Sequence, residues 1–585
     1  MKKNKISRFF ISLLSAISVY VAFFYNFQNA YSFIYQLNIK KVIFVIILFM
    51  FYLLFCYKEK FENHNIVSSL LFSVFMYCGA CYENIGTIFD TNLPIILIIA
   101  YLLGWFLLFI NIISLLEKFQ KVVSKINNNK FEMCFRNFNN TEFILICMFI
   151  MIVFWSPYVV LRYPAGIESD AKVQIAQALG FQKLTNRWPV FSSILFGSFF
   201  SFGKVLFNSY DFGAILLVLF QTCFSAFVLS YTLLFIKKNG GNTHSILLCL
   251  GVYSIVPLFP GYITSIVKDT LFADMVVLFN VFIIESLNEK FSRVKNIIFI
   301  IVSILMCLLR NNGIYIVVFE TLGIFIYSYV SKSNTKNTII YLLVAIIFYE
   351  IYQKLVIVKM GLYCDNTVEA LSIPLQQTAR CLVQHYDEIS LHDLDIINKV
   401  LDISAVKEKY NPLLSDPVKE AFHGDSISLI NYLGVWFKMF FKYPKTCIDA
   451  TLNNIYGFFY PFARMWNRPN CGFYTSNDIL GKNLLTNYES IKVYTNLFEQ
   501  KYINTLETLP ISRFICSAAF WVYINIYIFI KSIIKSRFKN IIYMIPSITT
   551  ILVCVAGPTF VQNGVRYVLP LIFTSISLFY KNNAY

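Results

Sequence analysis

The chain has 585 residues, of which 57% are hydrophobic and only 14% charged, and its mean hydropathy is +0.63. A soluble domain carries about 25% charged residues, so the composition excludes a soluble enzyme and describes a polytopic membrane protein. The formal net charge of +17 does not describe a nucleic-acid binder, because the Lys and Arg residues lie in short loops between apolar runs, where the positive-inside rule puts them.

Lys2, Lys3, Lys5 and Arg8 precede an apolar run over 9–25. No small-x-small cleavage pattern follows it, so it is read as a first transmembrane helix with a cytoplasmic N-terminus and not as a signal peptide. Further runs lie at 42–57, 66–82, 94–115 and 143–160, each close to the roughly 20 residues that cross the hydrocarbon core. Lys118, Lys121, Lys125, Lys130 and Arg136 put the loop after 94–115, the fourth helix of the chain, inside, and the loop at 83–92, without Lys or Arg, is outside. The fifth helix therefore delivers residues 161–187 to the outer face.

The next run, 188–207, begins at Trp188-Pro189, is interrupted by Gly197 and Gly203, and is followed by a run at 212–236 that ends on Lys237-Lys238. Parity makes 188–207 a juxtamembrane or re-entrant helix on the outer side. Runs at 245–258, 270–286, 296–309, 313–330 and 338–356 follow, with Lys290, Arg293, Lys295, Lys332 and Lys336 in the inner loops. The last three runs are 512–530, 541–556 and 566–580, and Lys531, Lys535, Arg537 and Lys539 are inside. The expectation is an all-α polytopic protein of the plasma membrane with about fourteen transmembrane helices and both termini cytoplasmic. It divides into a four-helix region with a basic loop (1–142), a core (143–356) carrying the outer loop 161–187, an extracytoplasmic, mainly helical domain (357–510), and C-terminal transmembrane helices (511–585). Four of the fourteen Cys fall in the polar domain, Cys364, Cys381, Cys447 and Cys471; a disulfide among them is one alternative and free thiols the other.

Two carboxylates, Glu168 and Asp170, follow a Pro164-Ala165-Gly166 turn in the stretch LRYPAGIESDAKVQIAQALGFQKLTNR. A carboxylate at the membrane edge is suited to take the proton of a hydroxyl or to hold a divalent cation. The structural alternative has Ser169 or Asp170 capping the helix that follows. Lys268-Asp269 opens TLFADMVVLF, with Asp269 as N-cap in one reading and Lys268 as part of an anion site in the other. Arg310 in LLRNNG and Arg566 after GPTFVQNGV offer bidentate phosphate contacts or snorkel to headgroups. Charges at membrane depth are costly and mark function, and these features share one face, which points to one site. His385 and His392 with Asp387, Asp393 and Asp395 match no metal-ligand spacing. Tyr456, Phe459, Tyr460, Phe462 and Trp466 suit a membrane interface better than sugar stacking.

Taken in order, D-x3-Q (Asp170, Gln174), NRWP, IVKDTLFAD, LLRNNG, IPLQQTAR and the C-terminal GVRYVLPLI resemble the GT-C superfamily of integral membrane glycosyltransferases, and more narrowly an uncharacterised bacterial membrane family of that superfamily. The resemblance covers roughly residues 150–580. It implies a GT-C-like core and an inverting enzyme that moves a sugar from a polyprenyl-phosphate donor to a glycan, lipid or protein acceptor of the cell envelope on the extracytoplasmic face. It also implies Asp170, with Glu168 beside it, as the catalytic carboxylate, Lys268, Arg310 and Arg566 as donor-phosphate contacts, and Mg or Mn at Asp170 as an optional cofactor. A transporter or flippase of lipid-linked glycans and a polysaccharide polymerase or ligase are the competing classes.

Overall fold

The computed structural model describes residues 2–24, 39–52, 61–89, 93–125, 138–362, 367–463, 501, 509–557, 559–561 and 564–583. These residues are helical nearly throughout. The N-terminal region comprises α1 (Lys2–Phe24), α2 (Ile39–Phe51), α3 (Asn63–Asn84) and α4 (Ile95–Lys125). The core follows with α5 (Asn140–Leu161), β1 (Gly166–Ile167), α6 (Ser169–Ala178), α7 (Val190–Phe207), α8 (Tyr210–Lys238), α9 (Thr243–Ile255), α10 (Leu258–Ile263), β2 (Ser265–Ile266), α11 (Lys268–Ser286), α12 (Arg293–Leu309), α13 (Gly313–Ser331) and α14 (Lys336–Tyr352).

Seven helices among the described residues are long and apolar enough to cross a membrane: Asn63–Asn84, Ile95–Val123, Asn140–Leu161, Val190–Phe207, Tyr210–Lys238, Gly313–Ser331 and Lys336–Val358. The chain is thus an all-α membrane protein. Shorter apolar helices include Phe9–Phe24, Thr243–Ile255, Ala518–Ile534, Ile545–Ala556 and Gly564–Tyr580. The expected run at 42–57 lies outside the described residues past Tyr52, as do Lys130 and Arg136 of the basic loop.

The centre of the bundle is α11. Every residue from Lys268 to Glu285 is buried, as expected of a helix that neighbours surround on all sides. The C-terminal helices, α21 (Ala518–Ile534), α22 (Ile545–Ala556) and α23 (Leu569–Asn583), close the bundle, with α23 packed along α11. Val190–Phe207 is long enough to cross, and it folds back sharply on α8. Asn208 takes a left-handed φ of 50° at the corner, and Gly203 sits so close to Gly213 that an added Cβ would lie 2.3 Å from the Gly213 nitrogen.

The N-terminal helices are not a separate unit. Phe72 of α3 stacks flat on Tyr523 of α21 at 4.3 Å. Where these helices end, Glu117 of α4 accepts from His64 (3.1 Å), Tyr527 (2.5 Å) and Lys531 (2.8 Å). Basic residues gather at this end of the bundle: Lys237 donates to the Phe138 carbonyl at 3.0 Å and Lys539 to the Leu287 carbonyl at 2.9 Å.

Residues 371–447 carry a second hydrophobic core, including Leu375, Leu382, Val400, Leu401 and Tyr432. It is built from α15 (Ser372–Gln384), α16 (Leu391–Asn398), α17 (Ile403–Lys409), α18 (Asp416–Glu420), α19 (Ser426–Lys442) and α20 (Pro444–Ile455). This polar domain docks on the end of α3 opposite His64: Tyr82 donates to Asp449 at 2.8 Å, Tyr456 to Glu83 at 2.7 Å, and Arg380 and Asn453 both reach the Gly86 carbonyl. The aromatics expected at a membrane interface serve this joint instead. Phe459 meets Phe75, and Tyr460 fills the notch at Gly79; Trp466 lies outside the described residues. Cys381 and Cys447 are free thiols with their sulfurs 3.7 Å apart, and Cys364 and Cys471 lie outside the described residues. His385 stacks on Tyr443, and Asp393 pairs with Lys438.

Candidate functional site

The site grows from a short parallel pairing. Past the end of α5, Arg162 is buried and donates to the Gly261 carbonyl, to Thr264 Oγ1 at 3.1 Å and to Ser265 Oγ at 2.6 Å. Gln221 from α8 donates to the Ile263 and Ser265 carbonyls at 2.8 and 2.7 Å. These bonds fix the backbone of β2, and β1 pairs with it in register Gly166↔Ser265 and Ile167↔Ile266. Parallel strands end together, so the helices that follow, α6 and α11, start side by side with both positive N-terminal ends at one place.

Glu168 is the N-cap of α6, and its side chain accepts the Asp170 amide at 3.0 Å. Neither Ser169 nor Asp170 is the cap, and Val267, not Asp269, precedes α11. Asp170 is thereby released to point at the neighbouring helix, where its Oδ2 lies 2.9 Å from Lys268 Nζ. Arg566 arrives from the short 3-10 turn before α23. Its Nη1 reaches Asp170 Oδ2 at 3.0 Å and Glu168 Oε2 at 2.7 Å, and its Nη2 donates to the Tyr567 hydroxyl at 2.8 Å. Arg310, in the tight turn closed by the Gly313 amide on the Arg310 carbonyl, pairs with Asp269 at 2.7 Å and lies over the Tyr567 ring at 4.9 Å.

All five candidate residues are therefore brought to one end of the bundle. Glu168, Asp170, Lys268 and Arg566 touch directly. Arg310 stands one layer back, joined through Asp269 and Tyr567. Cap geometry turns both Glu168 and Asp170 onto one guanidinium. The residues that sequence reasoning passed over are Tyr567, Arg162 and Gln221, and Asp269, weighed only as an N-cap, is instead the partner of Arg310. Gln221, a polar residue in the middle of an apolar run, was the available signal.

Three acids and three bases make up the cluster, so its formal charge is zero. Asp170 is its most open member, with a side chain 27% exposed against 9% for Lys268 and Arg566. Burial opposes ionisation of Asp170, but the charges of Lys268 and Arg566, with the hydrogen bond from Lys268, more than reverse this and hold its carboxyl well below the ordinary 3.8. In this arrangement Asp170 is firmly ionised and a weak proton acceptor.

Both carboxylates are already neutralised by cations, and among the described residues no three His, Cys, Asp or Glu side chains are grouped to hold a metal.

No curated protein and no solved structure matches the chain. A protein-family match covers residues 180–582, more than half of the sequence. Lys268, Arg310 and Arg566 fall inside it, whereas Glu168 and Asp170 lie just before its start. The chain belongs to this family, which is described as a family of unknown function (DUF6020).

Proposed function

We propose that the protein is a membrane glycosyltransferase of GT-C type, which moves a sugar from a polyprenyl-phosphate donor to a cell-envelope acceptor on the extracytoplasmic face, with inversion at the anomeric carbon. The observation that carries this reading is the contact of Asp170 with Lys268 and Arg566 at the mouth of an apolar bundle. A carboxylate beside two cations has what such a transfer needs. As the acceptor oxygen bonds to the anomeric carbon, its proton goes to Asp170. The bond from that carbon to the phosphate oxygen breaks, and the electron pair leaves with the phosphate, whose growing charge Lys268 and Arg566 face. Arg310 supports the site through Tyr567.

The topology proposed with it has about fourteen crossings, with Val190–Phe207 turning back at Asn208 without crossing and both termini inside. The segregation of charge supports this orientation: Lys237, Lys531, Lys535 and Lys539 lie at the end of the bundle opposite Asp170, as the positive-inside rule requires of a cytoplasmic end. The domain built on residues 371–447, docked at Tyr82 and Gly86, would cover the acceptor side.

Right-side-out vesicles containing the protein should transfer radiolabelled sugar from an externally added polyprenyl-phosphate donor, and inverted vesicles should not. Transfer in inverted vesicles alone would refute the orientation, and transfer in neither would refute the enzyme.

One observation favours a second reading, transport of a lipid-linked solute. Asp274 on α11 and Glu320 on α13 are fully buried, Asp274 meeting only Ser225 Oγ at 2.6 Å and Glu320 without a hydrogen-bond partner among the described residues. Buried carboxyls within apolar helices are a mark of ion and proton pathways.

A further inference from the structure

The cations assigned to the donor phosphate are not free to receive it. Lys268 is held by Asp170, Arg566 by Glu168 and Asp170, and Arg310 by Asp269. An anion entering a charge-neutral cluster in a poorly solvated place gains little unless it replaces one of the resident anions, since a buried ion is strongly stabilised only by an uncompensated partner. The structure also shows which resident is replaceable. Glu168 is tied into the helix as its cap and is buried, and Asp269 is sealed against Arg310. Asp170 shares one oxygen between Lys268 and Arg566 and is the member that solvent reaches.

We propose, building on the glycosyltransferase reading, that the donor phosphate exchanges places with the Asp170 carboxylate: it takes over Lys268 and Arg566 and by doing so turns Asp170 into a proton acceptor. Before the exchange the two cations keep Asp170 too weakly basic to take a proton from a hydroxyl. After it, Asp170 stands beside the phosphate without its cations, in a partly desolvated place that favours the protonated acid. The base is thus armed by the substrate, and binding is ordered, donor first. No bond is made or broken in the exchange; only ion pairs change partners.

The consequence for mutation runs against the usual expectation for a site carboxylate. Removing the Asp170 charge removes the competitor for Lys268 and Arg566, so Asp170→Asn should bind a prenyl phosphate more tightly than wild type, by about tenfold for one charge-assisted contact released. Affinities of geranylgeranyl phosphate, inorganic phosphate and geranylgeraniol would be measured on the purified full-length protein in detergent, for wild type, Asp170→Asn and Lys268→Met. Glu168→Gln serves as a second variant that lowers the competing charge should Asp170→Asn not fold. The expected result is tighter geranylgeranyl phosphate in both carboxylate variants, weaker in Lys268→Met, and unchanged geranylgeraniol throughout. Tightening of inorganic phosphate as well would place the exchange on the phosphate group alone, and tightening of the prenyl phosphate alone would place it on the lipid-borne headgroup. Binding to wild type with equal or weaker binding to both carboxylate variants would overturn the exchange and leave the donor assignment standing. No binding of the prenyl phosphate to any of the proteins would overturn the donor assignment, and the exchange with it.

Discussion

The bundle has two buried ion clusters, one at each end, and they are built differently. At the basic end, Glu117 is saturated. His64, Asn65, Tyr527 and Lys531 all point at it, from two helices far apart in sequence, and Lys535 and His64 meet Glu62 nearby. At the other end, Asp170 is partly open, shares one oxygen between two cations, and lies where two helix N-termini meet. The first cluster leaves neither Glu117 oxygen without a partner and joins α3, α4 and α21. The second has a partly open member, Asp170, which the proposed exchange would release.

This contrast is breakable by mutation. Glu117→Ala leaves Lys531 and His64 facing each other in a buried place, and breaking a buried pair costs about 3–5 kcal/mol. Thermal unfolding in detergent should show a large loss, with any surviving folded protein retaining normal turnover per molecule. A fully folded Glu117→Ala protein without activity would move the site to the basic end. Lys268→Met should do the reverse, lowering transfer by about 10²–10³-fold, the scale seen when one donor to a developing oxyanion is removed, with a smaller effect on folding. Equal losses in stability and turnover for both variants would erase the distinction.

Acid sharpens the same comparison. The Asp170 carboxyl is depressed in the folded protein, so its pairing adds stability above the ordinary value of 3.8 and loses it only as pH falls below that. The difference in melting temperature between wild type and Asp170→Asn should be constant above about pH 5 and shrink below 3.8. A difference that grows on acidification would mean the carboxyl is held neutral. The smallest effect is expected at Glu320, whose carboxyl has no hydrogen-bond partner among the described residues. Glu320→Gln should leave sugar transfer intact and stability near wild type; loss of function there would support transport.

The bundle was legible in the sequence because apolar runs and Lys/Arg asymmetry follow from the bilayer itself. The five candidate residues could be singled out for a related reason: Glu168, Asp170, Lys268, Arg310 and Arg566 stand where charge is costly. Their pairing was not legible. That Glu168 caps α6, and so shares Arg566 with Asp170, depends on a parallel pairing of two residues with two others nearly a hundred positions away, which no local pattern announces. The joint of the polar domain on α3 was also hidden, since Tyr456 and Tyr460 have the composition of an interfacial belt while their contacts are set by Glu83 and Gly79.

The most direct test is a single-turnover measurement on purified Asp170→Asn protein preloaded with a polyprenyl-phosphate sugar and mixed with acceptor. Asn caps helices about as well as Asp and matches it in size, and the true cap here is Glu168, so the variant should fold. The account predicts that the donor stays bound and the transfer step slows by about 10²–10⁴-fold, the usual contribution of a general base. A transfer step at the wild-type rate, with the donor bound, would contradict it.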